Sequence, residues 1–148
     1  MSNPLNALQA GIYARLTGFS GLTAILGTDG EGFAKVYDLV PQHVSAPYVL
    51  IGDDTAIDFD TKTHLGWDFT VTIHCWDFEK AGRKSVKEIM KQIYEALHEK
   101  ENAVVVAGVT LVLLRCDFQQ TFQEQAVEGA GDHYYHGVQR FRALVTEN

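Results

Sequence analysis

The residues best suited to chemistry lie side by side near the middle of the chain, in the stretch THLGWDFTVTIHCWD that begins at Thr63. His74 offers an imidazole and Cys75 a thiol, groups that can bind zinc or form a base and nucleophile pair. Asp68 and Asp77 are close enough in sequence to assist either role. The alternative interpretation is architectural, with His74 and Cys75 on opposite faces of one β-strand.

The spacing of apolar residues decides between these interpretations. Six successive odd positions from Leu65 to Cys75 are apolar, and alternate side chains of a strand point to the same face. A shared metal or catalytic pair would need His74 and Cys75 on one side, so the pattern favours the architectural interpretation. One face is predicted to carry Leu65, Trp67, Phe69, Val71, Ile73 and Cys75, and the other Asp68, Thr70, Thr72, His74 and Trp76.

The other motifs that could carry chemistry are incomplete. His133 and His136 lie three positions apart, on opposite faces of a predicted strand, unlike the zinc-binding H-E-x-x-H of a helix. The glycines of GTDGEGF precede no Lys-Ser or Lys-Thr pair, and no G-x-S-x-G motif occurs. We therefore expect no enzyme, no metal site and no cofactor. An acidic cluster lacks the order of a calcium loop, and its members are Asp53, Asp54, Asp58 and Asp60.

The elements that must position these residues follow from periodicity. Residues 4–16 and 83–99 have helical spacing, with Asn3 as a cap of the first and a capping box of Ser85 and Glu88 near the start of the second. A short helix covers residues 20–27, and strands are expected at 48–52, 64–77, 108–122 and 133–147. The order is α-α-β-β-α-β-β. It predicts one α+β domain over residues 1–148, with an antiparallel sheet of about four main strands packed on one face by helices.

Composition limits the function further. The net charge of −7 disfavours general nucleic-acid binding, and no apolar run is long enough to span a membrane. The N-terminus lacks the basic segment of a secretory signal, so we expect folding in the cytoplasm. Cys75 and Cys116 share no C-x-x-C spacing, which favours two buried free thiols over a disulfide.

Three arginines are expected on the outer face of the sheet. On the strand after residue 108, Val112, Leu114, Cys116 and Phe118 are predicted to face the core, which leaves Arg115 outward. Alternation on the last strand likewise places Arg140 and Arg142 outward. They form either a solvated face or an interface with an acidic surface of a partner or a second copy. The candidate interface comprises Arg115, Phe122, Glu124, Arg140 and Arg142.

The order and the residues of several sequence segments point to a family. An APYVLIG strand is followed by WDFTVTIHCWD, a helix GRKSVKEIMKQIYEALH and a final strand YYHGVQRFRALVTE. The whole chain resembles the tail-completion or tail-terminator family of long-tailed bacteriophages, prophages and gene transfer agents. A longer first loop, residues 28–35, departs from the family pattern.

The resemblance implies a structural virion protein, assembled in the host cytoplasm and located in the tail or neck. Family members form a ring, typically of six subunits, at the head-proximal end of the tail tube. The ring stops tube growth and meets the head-closure, stopper or connector protein. Residues 28–33 and 123–132 are candidate segments that become ordered against a partner. The alternatives are another neck protein, a tube subunit, or a small enzyme or ligand-binding domain.

An acidic channel is a further expectation from the resemblance. DNA would pass through the ring without specific binding, because carboxylates repel phosphates. The residues expected to line this channel come from the cluster Asp53, Asp54, Asp58 and Asp60 or from the loop that carries Glu128 and Asp132.

Overall fold

The computed structural model describes residues 3–41, 44–78, 82–125 and 133–148. None of the helices in these ranges is long and apolar enough to cross a membrane. The elements in chain order are α1 Leu5–Thr17, α2 Ser20–Leu26, β1 Val36–Tyr37, β2 Tyr48–Asp58, β3 Gly66–Phe78, α3 Arg83–Leu97, β4 Val109–Gln125 and β5 His133–Glu147.

The five strands form one sheet in the order β1-β2-β3-β5-β4. The two-residue strand β1 runs parallel to β2, and every other pair of neighbours is antiparallel. The last strand of the chain, β5, therefore lies between β3 and β4. The predicted α+β class is confirmed, and β1 is added to the four main strands.

Helices cover one face of this sheet and enclose the core. Helix α3 packs on β3, β4 and β5, while α1 packs on α3 and β2. Phe69 of β3 and Phe141 of β5 are completely buried on this side, where each large apolar side chain contributes roughly 1.5–3 kcal/mol. The predicted alternation on β3 is confirmed from Phe69 to Cys75. The placement of Leu65 in the core is wrong, because it precedes β3 and is exposed.

Two register shifts in the pairing of β4 with β5 change which side chains of β4 face the core. They lie between Leu111 and Leu113 and between Cys116 and Phe118. A β-bulge places two residues opposite one, so the alternation of side chains changes phase there. The prediction that Val112 and Phe118 face the core is therefore wrong, since they are 53% and 44% exposed. Leu114, between the bulges, is buried as predicted.

Helix ends agree with the sequence in part. The N-cap of α1 is Pro4 rather than the predicted Asn3, although the Asn3 side-chain oxygen accepts the Leu5 N–H at 3.0 Å. The capping box of Ser85 and Glu88 is wrong, because α3 begins at Arg83 and its N-cap, Gly82, makes no side-chain cap bond. The Ser85 hydroxyl donates instead to the Asp77 carboxylate at the end of β3, which ties the helix start to the sheet.

Both cysteines are free thiols, as the sequence favours, but the prediction that both are buried is wrong for Cys116. Cys75 lies buried in the core under the helices, and Cys116 is half-buried on β4.

Candidate functional site: the open face of the sheet

The side of the sheet without helices is the candidate functional site, and we call it the open face. Its side chains alternate with those of the core along each strand. The central strands supply Thr70, Thr72, His74 and Trp76 from β3 and His136, Val138, Arg140 and Arg142 from β5.

Two histidines meet on this face because β3 and β5 are neighbours. His74 Nδ1 lies 2.8 Å from His136 Nε2, and His136 Nδ1 lies 2.8 Å from Oε1 of Glu124. The Trp76 indole N–H donates to the other carboxylate oxygen of Glu124 at 3.2 Å. These four residues form one hydrogen-bonded group, which we call the histidine cluster.

Aromatic rings pack around the cluster. The ring centroids of Trp76 and His136 are 4.3 Å apart and nearly parallel, and Tyr48 stacks on the far side of Trp76 at 5.1 Å. Phe122 contacts the His136 ring at 4.5 Å. Aromatic pairs of this kind contribute about 0.5–1.5 kcal/mol beyond the area they bury. The cluster is therefore a built, rigid patch of the open face.

The electrostatics of the cluster favour a neutral imidazole at His74. Burial is the main cause that lowers the pKa of His74, and the neighbouring His136 lowers it further, although Asp53 and Glu124 act in the opposite direction. A neutral imidazole has one N–H and one acceptor nitrogen, so one ring can donate to the other. The geometry can hold or relay a proton between His74 and Glu124.

A joint site of His74 and Cys75 does not form. Cys75 points into the core on the opposite side of β3, where burial raises the pKa of its thiol to about 12. At neutral pH it is therefore neither a thiolate nucleophile nor a ready metal ligand. Across the described ranges, no group of three or more His, Cys, Asp or Glu side chains is arranged to hold a metal ion.

The three arginines lie on the open face, each beside a carboxylate. Arg142 makes a two-pronged contact with Asp68, with nitrogen–oxygen distances of 2.8 and 3.1 Å. Arg140 donates to Asp117 at 2.9 Å. Arg115 is the register partner of Arg142, and its guanidinium lies 3.7 Å from Glu99. Exposed pairs of this kind contribute about 0–1 kcal/mol each to stability. Because each arginine lies beside a carboxylate, this part of the face is balanced in charge rather than positive.

The acidic cluster is divided between a strand and a turn. Asp53 and Asp54 lie at a register shift of β2 and are exposed. Asp58 accepts the Asp60 N–H at 2.8 Å, and Asp60 accepts the Gly66 N–H at 2.9 Å, so these two carboxylates close the β2–β3 turn. Glu128 and Asp132 lie outside the described residues, as does most of the candidate segment 123–132.

The sequence did not reveal the histidine cluster as a unit. Phe122 and Glu124 were expected at an interface, and the structure brings both to His136. The pairing of His74 with His136 depends on β5 lying next to β3, because His136 is the register partner of Trp76 and so a diagonal neighbour of His74. Their outward positions on two strands were the only available signal.

Comparisons with known proteins identify the class. The model of the family described as tail completion protein gp17 matches residues 10–146. The tail completion protein gp17 of Bacillus phage SPP1 is 28% identical over 102 residues, which is 69% of each chain. A chain in the structure titled virion of native gene transfer agent (GTA) particle superposes with a TM-score of 0.78 and 27% identity, over 99% of both chains.

The protein is a structural protein of the phage tail class. It belongs to the tail completion protein gp17 family, and the resemblance noted from the sequence blocks is confirmed.

Proposed function

We propose that copies of this chain form a ring, of six subunits as in the family it resembles, on the head-proximal end of a phage tail tube. The ring stops the addition of tube subunits and presents a surface to a head-closure, stopper or connector protein. The observation that carries the proposal is the family match over residues 10–146, nearly the whole chain.

The physical requirement is termination of an open-ended assembly. Tube subunits that add head to tail use unlike surfaces, so growth continues until an end is blocked. A terminator must match the tube end on one surface and lack that match on the other.

The loop between α2 and β1 is a candidate contact with one of these partners. Asp29 folds it by accepting the N–H groups of Glu31 and Phe33 at 2.9 and 3.0 Å. The Tyr37 hydroxyl donates to the same carboxylate at 3.0 Å. The Phe33 ring is left exposed at this loop, where it can insert into an apolar pocket of a neighbour.

Removal of the protein from tail assembly is expected to give overlong, headless tubes. Adding the purified chain back should restore a single length, which negative-stain electron microscopy measures directly. Purified tube protein alone provides the control for unlimited growth. Tubes of normal length that fail to join heads would instead indicate a connector role, and copolymerisation of the chain along the tube would indicate a tube subunit.

An acidic channel is the second part of the proposal. The net charge of −7 supports passage of DNA without binding. Changing Glu128 and Asp132 together to lysine is expected to slow DNA ejection from assembled particles, because added positive charge holds phosphates. An ejection rate equal to that of the unmodified particle would contradict a channel role for these two residues.

A further inference from the structure

The sheet has two edges that the chain covers only in part. Strand β1 pairs with Val49 and Leu50 of β2, and no described strand pairs with that side of β2 beyond them. On β4, the Leu114 carbonyl accepts the Glu99 N–H at 2.8 Å, and the Cys116 N–H donates to His98 Nδ1 at 3.0 Å. Beyond Asp117, no described strand lies beside the outer edge of β4.

We propose that residues 52–58 of β2 pair with residues 118–122 of β4 of the next copy. This inference rests on the proposed ring and names its subunit contact. Each copy thus contacts one neighbour through β2 and another neighbour through β4.

The strand directions allow such pairing. Strands β2 and β3, β3 and β5, and β5 and β4 are antiparallel, so β2 and β4 of one copy run in opposite directions. A rotation about an axis along the strands preserves these directions. Side-by-side copies would therefore place β4 antiparallel to the neighbour's β2, with the open faces on the same side. Each contact joins unlike edges, which is the interface type that forms a ring when the rotation between neighbours closes.

The charges on the helix side of the two edges are complementary. Asp54 is the register partner of Val71, a core residue, so its carboxylate points to the helix side. Beside this part of β4, a groove of about 600 Å³ separates the strand from α3, and its charged lining consists of Lys87, Lys91 and Glu95, which leaves an excess of positive charge. None of the ion pairs in the described residues involves Asp54, Lys87 or Lys91. Pairing the edges brings these charges together.

The open-face side of the two edges carries exposed apolar side chains. Ile57 is the partner of Asp68 and so lies on the open face, where it is 63% exposed. Phe118 is the partner of Arg140 on the same face and is 44% exposed. Edge pairing would cover Ile57 and the rings of β4 together, which removes apolar area from water. Both sides of the proposed contact are therefore complementary.

A charge exchange tests the contact. Lys91→Glu and Asp54→Lys are each expected to weaken association between copies at least tenfold, and a chain with both changes should recover it, because each contact contains one residue of each kind. Sedimentation velocity over a concentration series, with and without tail tubes, measures association. Lys84→Glu and Glu88→Lys on α3, which are exposed outside the groove, are the controls. Unchanged association in the single variants, or no recovery in the double variant, would overturn the proposal.

Cross-linking provides a second, independent measurement. In a Cys116→Ser chain, Ile57→Cys combined with Phe118→Cys or Gln120→Cys is expected to give a ladder of covalent oligomers with a bismaleimide. Replacing Ile57→Cys by Leu39→Cys, at a site 82% exposed, should give none. A ladder only in the Leu39 control, or no ladder in any chain, counts against edge pairing.

The two proposals fail in different ways. If the unmodified chain sets tube length but Lys91→Glu sets it equally well, edge pairing is wrong and the terminator function stands. If the cross-linked ladder forms but the unmodified chain has no effect on tube length, the function is wrong and the contact between copies stands.

Discussion

Truncation of Phe141 to alanine is expected to lower the free energy of unfolding by about 3–5 kcal/mol. The ring is completely buried on the central strand β5, on the side covered by the helices. Its removal combines the loss of apolar burial with a cavity that neighbours such as Val71 and Cys116, its register partners, cannot fill. Urea or thermal unfolding of the purified chain measures the change.

Phe118→Ala is the matched control, since it removes the same atoms from an adjacent strand. Phe118 is on the open face, partly exposed and beside the Arg140 guanidinium, 5.6 Å from the ring centroid. We expect a loss below about 1 kcal/mol in the free chain, the value of an exposed cation–π contact. Equal losses for Phe141→Ala and Phe118→Ala would contradict the position of Phe118 on the open face.

Acidification from pH 7.5 to 5.5 is expected to destabilise the fold through His74. Its pKa is below 6.5 in the folded chain, mainly because of burial, whereas the unfolded chain has the ordinary value. The unfolded state therefore binds more protons in this window, and the free energy of unfolding falls as the pH decreases. The loss begins near pH 6.5 and ends below the folded pKa. His136, Asp53 and Glu124 are the charged or titratable groups that act on His74.

Urea unfolding at several pH values measures this slope, with His74→Gln as the test variant. Glutamine retains hydrogen-bonding capacity but does not titrate, so its slope between pH 7.5 and 5.5 should be smaller than that of the unmodified chain. His64→Gln removes an exposed imidazole at the β2–β3 turn and serves as the control. An identical slope in His74→Gln would assign the acid sensitivity elsewhere.

Local patterns in the sequence were sufficient for the class of fold and for the core face of two strands. Alternation alone placed Phe69 and Ile73 on the core face of β3, where both are buried, and Arg140 and Arg142 on the outer face of β5, where both lie. Helical spacing located α1 and α3 to within a few residues. These features depend on residues that are near one another in the chain, and they can therefore be predicted from the sequence.

Features that depend on pairing between distant strands were not predictable. The bulges of β4 have no local signature, so the change of side-chain phase at Val112 and Phe118 was missed. The insertion of β5 between β3 and β4 brings His136 beside His74 across 62 positions of chain. Ser85 was similarly assigned to a helix cap, although its hydroxyl donates to Asp77, which lies eight positions earlier in the chain.

The coverage of only one face of the sheet by helices has a consequence for a ring closed by the proposed pairing of β2 with β4. In such a ring the helices form one wall and the strands form the other, because every copy has the same orientation. The strand wall carries the paired arginines and the histidine cluster, while the helix wall carries the exposed lysines of α3. The inside and the outside of the ring therefore differ in charge and in side-chain composition before any partner binds, and a half-turn of each subunit about its strands would exchange them.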